Sequence, residues 1–387
     1  MFSKNHRIPL AWLQLTGDKL RLLAAVSGIV FAVALMLTQL GFRDALYTAA
    51  LQIHKRLRAD LVMVSTQYEY IITTKSYSER YLYQALALPE VESVAPIYVG
   101  IGSWKHGDNH RNLPIFIMGF DPLNSVFDMP EAEPMFDRLR QPDAVFFDEG
   151  SKPEYGTFQE AIKRGEKCEA EVSGHKVEIR GGFRLGISFA SDGNLITSED
   201  GFVRLMPSRQ KGIIDIGMIR LKPGADARAT QAKLMAIVPA GIQVMTRAEF
   251  MKTEMNYWSE RTPIGFVFNM GTFVGFLVGS VIVYQILYTD VTDHLGEYAT
   301  LKAMGYGDRY LCGVVMMEGL ILAIVGFIPG WIFSTAMGIL TRKITLLPAY
   351  MTWERTTLVL ALTIVMCVGS GVLAMRKVRL ADPADIF

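Results

Sequence analysis

Cysteine, histidine and surplus charge are scarce in this chain. Its 387 residues include three cysteines (Cys168, Cys312 and Cys367) and six histidines. Three scattered thiols exclude a disulfide framework and a cysteine-built zinc site. Basic and acidic residues number 39 and 38, a formal charge of +1. That balance leaves no electrostatic footprint for nucleic acid. No G-x-x-x-x-G-K-[ST] run exists to cradle a nucleotide's phosphates, and no low-complexity linker or solenoid repeat appears.

What the chain does have is apolar surface. Half of its residues are hydrophobic and the mean hydropathy is +0.24. The excess lies in four blocks: residues 22–42 between Arg21 and Arg43, 262–289 between Arg261 and Asp290, 319–341 between Glu318 and Arg342, and 356–375 between Arg355 and Arg376. Each is long enough to cross a bilayer as a helix, which needs about 20 residues. The expected spans are 22–42, 262–289, 310–341 and 356–375. The first block is too long for a signal-peptide core and no small-x-small site follows it, so it reads as an uncleaved anchor. Lys4, Arg7, Lys19 and Arg21 at one end, and Arg376, Lys377 and Arg379 at the other, place both termini in the cytoplasm of an inner (plasma) membrane. Residues 43–261 and the turn 342–355, with Pro348, then lie outside. The cytoplasmic segments are 1–21, 290–309 and 376–387. The 290–309 loop is itself mostly acidic, so the termini decide the orientation.

The outer segment is large enough for its own core. Asp60–Val64 reads as a strand, Ser78 as the cap of a helix carrying Leu82, Ala85 and Leu86, and Val91–Val99 as the returning strand. The pattern recurs near the other end. Ile213–Leu221 reads as a strand, Asp226 caps a helix with Ala227, Thr230, Leu234 and Ile237 on one face, and Ile242–Met245 returns. Two βαβ halves bracketing a middle segment predict a split α+β sheet. The middle, about 121–210, reads as a β-rich insert that includes His175–Gly186.

Catalytic signals are poor. Gly186-Ile-Ser188-Phe-Ala190 lacks the second glycine of a nucleophile elbow and an evident histidine partner, so Ser188 reads as a strand-end serine. His106 and His110 flank Gly-Asp-Asn, which is turn chemistry rather than a metal site. His54, in the run HKRLR, reads as part of a solvated helix leaving the membrane. No catalytic or metal-binding residue is expected.

The membrane blocks carry more. Gly271, Gly275 and Gly279 recur every fourth residue, and Gly326 and Gly330 repeat the spacing beside Pro329. Small residues at this spacing permit close helix approach, within the chain or across a homodimer. Glu318 reads either as functional or as a border residue reaching the headgroups. In the loop, Asp293 can cap a short helix whose face carries Leu295, Tyr298, Leu301 and Met304, ended by Gly305. Such a helix suits docking into a partner's groove. IPLAWLQL, with Trp12, is a second amphipathic candidate.

Glu297-Tyr-Ala-Thr-Leu301-Lys302-Ala303-Met-Gly305 resembles the E-I-G-x-L-[KR]-A-x-G signature of FtsX/MacB-type permeases, with Ala299 in place of its glycine. Ala381-Asp382-Pro383-Ala384 resembles that family's terminal D-P-A, and the layout of one span, an outer domain and three spans is similar too. LAWLQLTGDKLRLL, QLGFRDALY, IVYQILYTDVTDHLGEYATLKAMGY and RKVRLADPADIF resemble the narrower DevC type. The resemblance implies four transmembrane helices with a MacB-like α+β periplasmic domain, and a non-catalytic homodimer. It implies a separate DevA-like ABC ATPase that uses ATP and Mg and docks on the loop helix. It also implies a DevB-like membrane-fusion protein, a TolC-like duct, and export, of glycolipid in the DevC type. On this reading Leu301 and Met304 enter the ATPase, while Glu297 and Lys302 orient the contact. An FtsX-like transducer controlling cell-wall hydrolases, usually with a smaller outer domain, and a lipoprotein-releasing permease share the architecture.

Overall fold

The computed structural model describes residues 18–107, 109–124, 126–188 and 191–380. Two compact units divide the described residues: 18–45, 264–345 and 349–380 form one, and 46–263 with 346–348 the other. The N-terminal IPLAWLQL segment, His110 and the terminal D-P-A lie outside the described residues or side chains.

Four long helices build the first unit: span 1 (Lys19–Ala50), span 2 (Pro263–Asp293), span 3 (Asp308–Thr345) and span 4 (Trp353–Leu380). All four are long and apolar enough to cross a membrane. Spans 1, 3 and 4 run past their charge-free blocks at both ends, while span 2 starts at Pro263 and runs past its block only to Asp293. Pro329 sits inside span 3 without ending it. Ile29, Val33, Met36 and Leu37 of span 1 are fully buried among the other spans, with Leu287, Val315, Leu322 and Cys367.

The second unit is built on a nine-stranded mixed sheet, beside a two-stranded one that pairs Tyr77–Ser78 with Ile213–Ile214. Its base comprises β1 (Leu61–Ser65), the first half of β3 (Val91–His106), β10 (Ile216–Leu221) and β11 (Ile242–Thr246), ordered β11-β1-β10-β3 and antiparallel throughout. Both faces are covered. Leu61 and Met63 pack on one side with Leu82, Ala85 and Leu234, while Val62 and Val64 pack on the other with Ile53, Phe127 and Phe250. This explains why β1 is an unbroken apolar run rather than an alternating one.

The two expected βαβ halves interleave here, with local differences. Ser78 lies in the short strand β2 (Tyr77–Ser78) and makes no cap; the helix Arg80–Tyr83 begins after Glu79 without a side-chain cap. Leu86 and Ile237 are exposed rather than core. The expected strand 213–221 divides at Asp215 into β9 (Ile213–Ile214) and β10. Asp215 is fully buried, and its carboxylate accepts from Val99 N–H at 2.8 Å, Ser76 Oγ at 2.7 Å and Arg209 Nη2 at 2.5 Å. Asp226 does cap its helix, accepting from the amides of Arg228 and Ala229.

The insert closes on itself. β4 (Asn109–Phe120) returns from β3 and pairs with β8 (Asn194–Ser198), which pairs with β5 (Ala144–Asp148), then β7 (His175–Phe183) and β6 (Cys168–Val172). β6 returns to β3 through Trp104↔Val172 and Lys105↔Glu171. Six strands thus form a small ring that shares β3 with the base sheet. Trp104, Ile117, Phe147, Val172 and Ile179 are buried in its cluster. Asp148 pins the insert, accepting from the amides of Gly150 at 2.9 Å and of Leu185 and Gly186 at 2.8 Å each, and from Asn194 Nδ2 at 2.8 Å.

Candidate functional site

The loop between spans 2 and 3 holds most of the residues that the sequence singles out. Asp293 is not its cap. Span 2 continues to Asp293, and the loop helix Leu295–Ala303 begins after His294 without a side-chain cap. Asp293 instead pairs with Arg21 at 2.7 Å, and Arg21 also lies 3.7 Å from the buried Asp290. The start of span 1 is thereby tied to the end of span 2. Arg21 was legible only as a basic flank, since its partners lie far along the chain.

The apolar stripe of the loop helix turns inward. Tyr298 is completely buried and Leu301 packs on the bundle core, so neither presents a free docking surface. A stripe at helical spacing reports burial but not its partner, and here the partner is this chain's own bundle. Glu297 and Met304 face outward, and Lys302 pairs with Asp308 at 3.0 Å. Gly305 has φ +92°; its N–H donates to the Lys302 carbonyl at 2.9 Å and Tyr306 N–H donates to Leu301 O at 3.1 Å. This pairing of bonds closes the helix with a left-handed residue. Beyond it Met304 is 63 % exposed, and the exposed rings of Tyr306 and Tyr310 meet at a tilt of 39° with centroids 4.8 Å apart. Neither tyrosine stands out in the sequence, because both follow the helix-ending glycine.

Both glycine series face span 1 of the same chain. A Cβ on Gly271 would lie 2.7 Å from Gln39 Cδ, and one on Gly275 3.3 Å from Leu35 and Met36. At Gly279 it would lie 2.6 Å from Ala32 Cβ and 2.5 Å from Met366 Sδ. At Gly326 and Gly330 it would lie 2.5 Å from Ile29 Cγ2 and 2.8 Å from Val33 Cγ1. Span 1 of the same chain therefore packs against this glycine face, with Met366 of span 4 also at Gly279. Glu318 does not reach the headgroups. It is fully buried, and neither carboxylate oxygen has a hydrogen-bond partner among the described residues.

In the second unit His54 is buried rather than solvated. Its Nε2 lies 3.2 Å from Tyr68 Oη and 3.4 Å from Glu254 Oε2. Glu254 also accepts from Tyr68 Oη at 2.8 Å, Ile71 N–H at 3.1 Å and Trp258 Nε1 at 3.0 Å. Burial, and then the Glu254 charge, push the Tyr68 phenol well above its usual value, so it stays protonated and donates. Glu254 belongs to the helix Arg247–Asn256, opened by a capping box of Thr246 and Glu249. That T-x-x-E signal was legible in the sequence. The cluster joins the segment that follows span 1 to the helix that leads into span 2.

His106 packs edge-on against Phe158, with Nδ1 3.3 Å from the Glu169 carbonyl oxygen, and Ser188 lies in the loop beyond β7. Among the described residues no three His, Cys, Asp or Glu side chains group to hold a metal, and the three cysteines are free.

Comparison with known proteins gives concordant results. Residues 22–237 match the MacB-like periplasmic core domain and residues 269–383 the FtsX-like permease C-terminal family. An uncharacterized ABC transporter permease of Mycobacterium bovis is 23% identical over 379 residues, covering 95% of this chain and 96% of the relative. One of Mycobacterium tuberculosis is 22% identical over 370 residues, covering 93% of each. Among solved structures, the periplasmic region of MacB from Actinobacillus actinomycetemcomitans is similar at 10% identity and TM-score 0.35, over 52% of this chain and 94% of that one. The extracellular domain of the Gram-positive transporter YknZ is similar at 13% identity and TM-score 0.34, over 48% and 99%.

Proposed function

The chain belongs to the FtsX/MacB-like permease family, and from that premise we propose that it is the membrane subunit of an ABC-type exporter worked by a separate ATPase. The observation that supports this most is the build of the loop helix. Tyr298 and Leu301 anchor it in the bundle, while Glu297, Met304, Tyr306 and Tyr310 stand outward. A push on the outward side chains passes directly to spans 2 and 3. The sequence has no phosphate loop of its own, which agrees with nucleotide and Mg being bound by the partner.

In this reading two copies assemble in an inner membrane with both termini cytoplasmic and the 46–263 domain outside. A DevA-like ATPase drives them. The outer domain engages a DevB-like fusion protein leading to a TolC-like duct, and the cargo is a glycolipid, as the DevC-type segments suggest. The Glu254 cluster supports a mechanical route, because it ties together the two chain segments that leave and rejoin the membrane.

The test is co-purification of the full chain with the ATPase and fusion protein encoded beside it, with ATP turnover measured for each combination. Stimulation that requires both partners supports export. Turnover coupled instead to a cell-wall hydrolase would replace export with signalling.

A further inference from the structure

Span 4 opens with Trp353-Glu354-Arg355, and Arg355 is only 6 % exposed. A guanidinium stays charged, and burying one at a membrane boundary calls for close counter-charge. Arg355 is poorly supplied. Its Nη2 donates to the Tyr350 carbonyl and lies 3.5 Å from Thr352 Oγ1. The nearest acid, Asp44, is 3.6 Å from Nε, which has no hydrogen-bond partner among the described residues. Asp44 is also engaged by Arg43, at 3.0 Å. A third guanidinium, Arg342, lies over the Tyr350 ring, 4.6 Å from its centroid, and forms no ion pair among the described residues.

Arg342, Tyr350 and Arg355 border a cavity of about 250 Å³ within the first unit, lined further by Leu37, Ser334 and Met351. Its shape depends on small residues. A Cβ on Gly41 would lie 2.6 Å from Arg355 Nη1, so glycine there lets the guanidinium against span 1. Arg43 and Arg342 mark where the charge-free runs of spans 1 and 3 end, on the side of the membrane away from the termini. The cavity lining therefore combines two guanidiniums, Arg342 and Arg355, with apolar side chains such as Leu37, Phe42 and Met351.

We propose that this cavity binds one anionic lipid of that leaflet, with the phosphate on Arg355 and Arg342 and an acyl chain in the lumen beside Leu37 and Met351. The lipid is resident, not cargo, and the proposal does not depend on the transport reading.

The test uses full-length protein and native mass spectrometry, with phosphatidylglycerol, phosphatidylcholine and inorganic phosphate as probes. One phosphatidylglycerol per chain should be retained at least tenfold more strongly than phosphatidylcholine. Arg355→Gln should lose that preference. Gly338→Leu should also lose retention: a Cβ there meets only the Ala349 carbonyl at 3.4 Å, and the added side chain occupies the lumen while both guanidiniums are kept. Should Arg355→Gln fail to fold, Arg342→Gln with Gly338→Leu carries the test. Equal retention of the two lipids, or variants that hold phosphatidylglycerol as the parent does, would overturn the proposal. Displacement of the lipid by millimolar phosphate would overturn it in favour of a free-anion site.

Discussion

Glu254 accepts a hydrogen bond from the Tyr68 hydroxyl at 2.8 Å, and both side chains are buried. The same carboxylate takes the Ile71 amide and the Trp258 indole, so it holds a loop and a helix together. Removing it takes the partner from two buried donors, the Tyr68 hydroxyl and the Ile71 amide, each costing about 1–3 kcal/mol, and loosens the part-buried Trp258 indole. Glu254→Ala should therefore lower the thermal midpoint of the full chain sharply and expose the 66–75 loop to protease. Tyr68→Phe removes one donor and should cost less, about 1.5–3 kcal/mol for a bond to a charged group. Melting of Tyr68→Phe at the parental temperature would mean that the cluster carries no tension between these segments.

Close packing of span 1 gives a second prediction. Gly326→Leu drives a side chain into Ile29, where even a Cβ would be only 2.5 Å away. Overpacking of this kind typically costs about 1–3 kcal/mol. Gly313, in the same span, has nothing within 4 Å of the place a Cβ would take. Gly313→Leu should be neutral or slightly stabilising, since glycine is a poor helix former. The measurement is heat-induced aggregation in detergent. If both variants aggregate at one temperature, the glycine series does not set the packing.

Glu199 offers a pH test in the second unit. It is half-buried, and burial, followed by the charge of Glu79, raises its carboxyl above the usual value. The folded chain then holds this proton more tightly than the unfolded chain, whose value is about 4.3. Its contribution is most favourable in acid and is lost as pH rises through the raised folded value. Glu199→Gln should melt above the parent near neutrality and converge with it below about pH 4. A constant offset across that range would assign the effect to something other than titration.

The spans and the interleaved base sheet were legible because their signals are local: long charge-free runs, Asp226 before a helix, Pro239 after it. The closed ring was not legible, because it depends on two residue pairs joining Trp104 and Lys105 to one strand, β6, far along the chain. The glycine series were visible, yet spacing alone does not say whether the neighbour is span 1 or another copy. The same ambiguity governs Tyr298: its place on an apolar stripe does not say what it packs against, and in the structure it is buried in this chain's own bundle. Arg355 was visible only as the end of a charge-free run, since its burial depends on Gly41 in a distant helix.

The last prediction concerns where force enters the chain. The loop helix has an inner side, Tyr298 and Leu301, and an outer side that ends in Met304, Tyr306 and Tyr310. An ATPase can touch only the outer side without unpacking the bundle. Burying one methionine contributes roughly 1.5–3 kcal/mol, and 1.4 kcal/mol is a factor of ten. Met304→Asp combined with Tyr306→Ala should therefore weaken ATPase capture by tenfold or more while leaving the thermal midpoint of the isolated chain unchanged. Glu297→Ala should cost less, because an exposed charge on a wet rim adds little. Leu301→Asp should act differently: it places a charge against the bundle core and should lower the midpoint before any partner is added. Capture and midpoint are measured on the same preparations, by pull-down and by thermal unfolding. If the outer double variant still captures and stimulates the ATPase normally, the drive enters through another cytoplasmic segment.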